Sequence, residues 1–195
     1  MKTFNLYLTG VGGQGIGLLS EAMLRAADHA GFSVKGVDTH GLAQRGGIVA
    51  SHLRFGDRVY SPLIQEGEAD LVVALERHEA MRGLNQYLKD GGALLYYNTV
   101  WQPLEVRLNK AAPISAELIS EQCRQRGIKE ITVFRDNLQD VRMQNIVVLA
   151  TVAKHELISG VKPEHYKHAL EDLMTGKLLE QNLRLFAEER GTSLS

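Results

Sequence analysis

The chain has 195 residues, 44% of them hydrophobic and 23% charged, with a formal net charge of −1. Acids and bases are interspersed, which excludes the basic face of a nucleic-acid binder, and the longest apolar stretch, residues 146–153, falls far short of the roughly 20 residues that span a bilayer. One cysteine, Cys123, excludes an internal disulfide and an iron–sulfur cluster held by this chain alone, because clusters need several thiolates.

The predicted elements alternate. Residues 4–8 (FNLYL) form a short apolar strand that runs into TGVGGQGIG. Residues 18–30 carry apolar side chains at Leu18, Leu19, Ala22, Met23, Ala26, Ala27 and Ala30, the spacing of a helix with one buried face, and Gly31 suits its C-terminal end. A second strand over 33–37 completes a βαβ unit, which predicts parallel, neighbouring strands with a right-handed crossover. Residues 47–55 (GIVASHLRF) alternate as a third strand. The continuous apolar run over 69–75 (ADLVVAL) marks a strand covered on both faces.

A helix is expected over 77–89, ended by Asp90-Gly91-Gly92, then a buried strand over 93–97 and a possible sheet extension over 105–108. Ser115 is placed to cap a helix over 116–126 that Gly127 ends, and residues 131–134 give the last strand. From Asn145 onward the pattern is helical, over 145–158, 163–174 and 177–190. This order predicts one α/β domain over 1–195: a doubly wound, mostly parallel sheet with helices on both faces and a helical C-terminal portion. No secretory h-region is expected at the N-terminus, and with one thiol the expected compartment is the cytoplasm.

Two glycine-rich loops carry the candidate site. In the first, Gly10, Gly12 and Gly15 fit G-x-G-x-x-G between a strand and a helix, with Gly13 and Gln14 inside the loop. Glycines allow a tight turn and close backbone approach, and free N–H groups at a helix start attract anions. Gly12 is expected to admit a ligand and Gly15 to permit strand–helix packing. Asp38 ends the second strand where a ribose-binding carboxylate would stand. Taken alone, the motif also fits a close-packed turn with no ligand. The second loop, residues 38–47, holds His40, Gly41, Gln44, Arg45, Gly46 and Gly47. His40 can titrate near neutrality, Arg45 offers a fork for phosphate or carboxylate, and the glycine pair exposes backbone donors; taken singly, His40 also fits a structural hydrogen-bonding residue and Arg45 a surface ion pair. Both loops are expected on the carboxyl edge of the sheet, facing one crevice; no metal site is expected.

GVGGQG followed by HGLAQRGG resembles the gamma subunit or domain of the 2-oxoacid:ferredoxin oxidoreductases. In length and layout the chain is most similar to the stand-alone small subunit of the indolepyruvate type. The resemblance extends through SHLRFG, EADLVVAL and the helix at Asn145, with Asp38 where the commoner form has Glu. It implies a subunit of an enzyme that decarboxylates a 2-oxoacid on thiamine diphosphate, passes electrons through iron–sulfur clusters to ferredoxin and transfers the acyl group to coenzyme A. This sequence has no thiamine diphosphate–magnesium signature and one cysteine. By that resemblance, thiamine diphosphate, magnesium and the clusters belong to partner chains, the isolated chain is inactive, and its own part is to close the site and help receive coenzyme A. Two other readings stay open: a self-contained NAD(P)-binding oxidoreductase, resting on the glycine motif and Asp38, and a non-catalytic docking module.

Overall fold

A computed structural model describes residues 2–39, 47–101 and 113–191. In chain order its elements are β1 (Phe4–Val11), α1 (Ile16–His29), β2 (Ser33–Thr39), β3 (Ile48–Gly56), β4 (Ala69–Ala74), α2 (Arg77–Gln86), β5 (Leu88–Tyr97) and α3 (Ala116–Gln125). Then come β6 (Lys129–Val133), a 3-10 turn (Val141–Met143), α4 (Gln144–Lys154), α5 (Pro163–Leu173) and α6 (Gly176–Arg190). The expected extension over 105–108 lies outside the described residues.

The six strands are ordered β2-β3-β1-β4-β5-β6. β1, β4, β5 and β6 pair in parallel, whereas β3 is antiparallel to both of its neighbours. β2 and β1 therefore still point the same way, and β3 is the one reversed strand. This corrects the expected neighbouring βαβ pair, because β3 stands between β1 and β2. The reason lies in β3 itself. Its Leu53 and Phe55 turn to the face of α1 while Ala50 and His52 turn to the other, all buried, so it needs a paired strand on each edge. The register Gly36–Leu53–Leu6 runs across all three strands.

Helices cover both faces, and strand alternation divides the core between them. Leu6, Leu8, Leu71, Val73, Leu95 and Tyr97 pack with α1, α4, α5 and α6. Tyr7, Val72, Ala74, Leu94 and Tyr96 pack with α2 and α3. Strands covered on both sides read as continuous apolar runs, which is why residues 69–75 carried so clear a signal. Gln144 through Ala153 of α4 are all buried, as expected for an interior helix.

Several predicted boundaries move: β1 runs on to Val11 where 4–8 was expected, the helix expected over 145–158 ends at Lys154, and β6 spans Lys129–Val133 where 131–134 was expected. α2 ends at Gln86, not Lys89, and Asp90-Gly91-Gly92 lies inside β5. Leu88 is buried and pairs with Ala69, and the ladder then slips before resuming at Leu71–Ala93. The glycine pair absorbs that slip within the strand instead of ending a helix. At the helix ends the local signals agree with the structure. Ser115 Oγ accepts the Leu118 N–H at 3.2 Å, and Gly31 and Gly127 take positive φ.

Candidate functional site

The chain leaves β1 for α1 on one face of the sheet and β4 for α2 on the other. Where neighbouring parallel strands send their helices to opposite faces, their carboxyl ends frame a crevice. The first glycine loop forms one lip and residues 75–77 form the other. Gln14 ties the lips together: its side chain is fully buried, its Oε1 accepts the Val11 N–H at 2.7 Å, and its Nε2 donates to Leu75 O at 3.2 Å. The amide that the sequence placed in the loop is thus turned inward as a brace. Gly10 makes room for it, since a β-carbon there would stand 2.9 Å from Gln14 Oε1 and from Ile16 Cδ1.

Gly15 is the residue before α1, left-handed at φ 82° and ψ 28°. Its β-carbon would meet Asn145 Nδ2 at 2.5 Å. The packing expected of Gly15 therefore exists, but against α4 rather than a strand. Asn145 Nδ2 donates to Gly15 O at 3.3 Å. Gly13, at φ 103°, faces open space.

The backbone donors of the loop divide into two sets. Val11 N–H goes to Gln14, Gly12 N–H to Gly47 O at 2.8 Å, and Gln14 N–H to Val11 O at 3.1 Å. The N–H groups of Gly13, Gly15, Ile16 and Gly17 make no hydrogen bond among the described residues. α1 has no side-chain cap and no acid in its first turn. Such a terminus carries a partial positive charge of roughly half a unit, which no cap or first-turn acid of its own helix neutralises.

Of the second loop, His40, Gly41, Gln44, Arg45 and Gly46 lie outside the described residues. Gly47 is described, and its carbonyl is the acceptor for Gly12, so the end of the second loop lies directly on the first. Asp38, on β2, is one strand removed from β1, and its Oδ1 accepts from Ser20 Oγ of α1 at 3.2 Å. A carboxylate committed to α1 across an intervening strand is poorly placed to take a ribose held at β1.

Several groups on the opposite lip were not singled out in the sequence. Glu76 caps α2, accepting the N–H groups of His78 and Glu79. Thr9 Oγ1 donates to Glu79 Oε2 at 2.9 Å, with Thr9 and both glutamates buried. Burial raises the Glu79 pKa above the usual carboxylate range, against the opposing effect of the Thr9 hydrogen bond. His78 bridges Glu76 and the Ile114 N–H, and Arg77 Nε donates to Asn98 Oδ1 at 2.6 Å. The available signal was Glu76-x-x-Glu79 after a buried strand, a carboxylate version of a helix cap. The result is an asymmetric crevice: α2 has its N-terminus neutralised by its own acids, and α1 does not.

Cys123 is a buried residue of α3, and its thiol pKa is pushed up to about 11, first by burial. Among the described residues no group of three or more His, Cys, Asp or Glu is disposed to hold a metal. A cleft of about 340 Å³ opens between residues 135–143 and α6, lined by Arg135, Leu138, Met143, Gln181 and Leu185 among others. It shares no lining residue with the glycine loop. No helix among the described residues is long and apolar enough to cross a membrane.

The family model for pyruvate ferredoxin/flavodoxin oxidoreductase matches residues 5–190. The chain belongs to this family. It is 30% identical over 190 residues to the indolepyruvate oxidoreductase subunit IorB of Pyrococcus horikoshii, covering 95% of this chain and 94% of that one. It is 34% identical over 185 residues to the IorB subunit of Archaeoglobus fulgidus, covering 92% and 90%.

The solved structures similar to it share the fold. The gamma subunit of a keto/oxoacid ferredoxin oxidoreductase from Geobacter sulfurreducens superposes with a TM-score of 0.64 at 21% identity, covering 96% of each chain. A 2-oxoglutarate:ferredoxin oxidoreductase from Magnetococcus marinus, solved with 2-oxoglutarate, coenzyme A and succinyl-CoA bound, gives 0.72 at 18% identity. There the match covers 98% of this chain but 31% of the other, whose chain is far longer. This protein is thus a small subunit of the 2-oxoacid:ferredoxin oxidoreductase family, with the fold of the solved gamma subunit.

Proposed function

We propose that this subunit receives the phosphate end of coenzyme A at the α1 lip of the crevice and closes the thiamine site of a partner chain in the assembled enzyme. One observation carries the reading: the N–H groups of Gly13, Gly15, Ile16 and Gly17 are left without a hydrogen bond among the described residues at an uncapped, acid-free helix start. Phosphate is one of the anions that such a terminus binds. Gly12 and the second loop, with His40, Gly41, Gln44, Arg45, Gly46 and Gly47, complete the binding surface in this proposal, and Arg45 supplies a charge-assisted contact. Enclosing the site also keeps water from a reactive adduct on the partner.

The cofactors of the reaction do not fit the residues of this chain. Iron–sulfur chemistry needs several thiolates, and Cys123 is a single, buried and protonated thiol. We therefore assign thiamine diphosphate, magnesium and the clusters to partner chains, with ferredoxin reached through them, and place the complex in the cytoplasm. The names of the relatives favour indolepyruvate as the 2-oxoacid. A self-contained NAD(P) enzyme fits less well, because Asp38 is engaged by Ser20 and β3 separates it from β1.

The test is Arg45→Ala in the complex purified with its partner. Coenzyme A binding should weaken by about 1.5–3 kcal/mol, the scale of a charged hydrogen bond, with the KM for the 2-oxoacid unchanged. Unaltered coenzyme A affinity would remove the assignment. Bound nucleotide on the chain purified alone would favour the NAD(P) reading instead.

A further inference from the structure

We infer that Asn145 is a positioning residue for the glycine loop, holding the anion-binding amides of α1 in place from a helix 130 residues downstream. It goes beyond the coenzyme A reading but rests on it for the identity of the ligand. Asn145 lies in the first turn of α4, is 4% exposed, and spends its amide on Gly15 O at 3.3 Å. That carbonyl also accepts the first helical bond of α1, from Leu19 N–H at 3.1 Å. Two donors therefore fix its direction. Across a trans peptide the C=O and the following N–H point opposite ways. Holding Gly15 O toward α1 and Asn145 aims the Ile16 N–H outward into the crevice.

The loop is thereby clamped at both ends. Gln14 fixes its first limb to Val11 and to Leu75 at the end of β4, and Asn145 fixes its last residue to α4. The left-handed turn at Gly15 needs a residue without a β-carbon, and the space so left is where the Asn145 amide sits. Gly15 and Asn145 thus form one device. Without the donor, Gly15 O keeps only its bond to Leu19, and the peptide between loop and helix regains freedom to rotate. A phosphate would then have to order these amides on binding, which weakens affinity without touching the reacting atoms.

The experiment uses the complex purified with its partner, carrying Asn145→Asp or Asn145→Ala. Asn145→Asp keeps the shape and removes the donor, and Asn145→Ala removes the amide without adding charge. Two readouts are taken: hydrogen exchange of the bonded amides of the loop and the first turn of α1, Gly12, Gln14 and Leu19, and steady-state kinetics with coenzyme A and the 2-oxoacid varied separately. Both variants should lose protection across the loop relative to β4. The KM for coenzyme A should rise about tenfold, the scale of one lost hydrogen bond, with kcat within about twofold and the oxoacid KM unmoved, since neither reacting centre is touched. Loop protection equal to wild type in both variants would overturn the inference. Lost protection with an unmoved coenzyme A KM would uphold the clamp and sink the coenzyme A assignment, so the two failures are told apart.

Discussion

Replacing Gly15 with alanine sets two costs against one contact. At φ 82° a β-carbon enters the left-handed region, at about 1–2 kcal/mol for an ordinary residue. The same carbon would stand 2.5 Å from Asn145 Nδ2, so the amide must swing away and lose Gly15 O. Asn145 is 4% exposed, and a polar group stranded at that depth costs about 1–3 kcal/mol. Together these give a loss of about 2–5 kcal/mol, or a fall in Tm of about 4–20 °C for a chain of this size. In an Asn145→Ala background the amide is gone, and Gly15→Ala should cost only the backbone term, about 1–2 kcal/mol. Urea unfolding of the wild type, the two single variants and the double variant measures the coupling, expected at about 1–3 kcal/mol. If the two substitutions add to within about 0.5 kcal/mol, the Gly15–Asn145 contact does not carry the energy assigned to it.

Gly17 lies inside α1 with open space where its β-carbon would go. Gly17→Ala should therefore stabilise the chain by about 0.4–1 kcal/mol; a lower urea midpoint would show that the start of α1 is more crowded than described. Glu79 has a raised pKa in the folded chain, chiefly from burial, so the fold binds its proton more tightly than the unfolded chain does. Its contribution is fully present below the ordinary glutamate pKa of 4.5 and is lost as pH rises through the raised value. Glu79→Gln keeps an acceptor for Thr9 and cannot ionise. Its urea midpoint should gain on wild type between pH 4 and pH 8, and parallel pH profiles for the two proteins would count against a costly buried charge.

Much of the architecture was legible in the sequence because its signals are local. The strand–glycine–helix junction, the run over 69–75, the Ser115 cap and the left-handed Gly31 and Gly127 each depend on neighbours within a few residues, where periodicity and backbone sterics act. The glycine motif likewise marked the lip where α1 begins without a cap. Tertiary structure decided what those signals leave open. Strand order is set by which edges find partners, and β3 entered between β1 and β2 because both of its faces and both of its edges had to be buried. Gln14 read as a loop amide, yet its partner Leu75 is 61 residues away and turns it inward. The Thr9–Glu79 bond spans 70 residues, and the Asn145–Gly15 bond spans 130. Each of these groups has an ordinary local environment in the sequence. Its role comes from a contact that forms only when the sheet and its two helical layers close over one another.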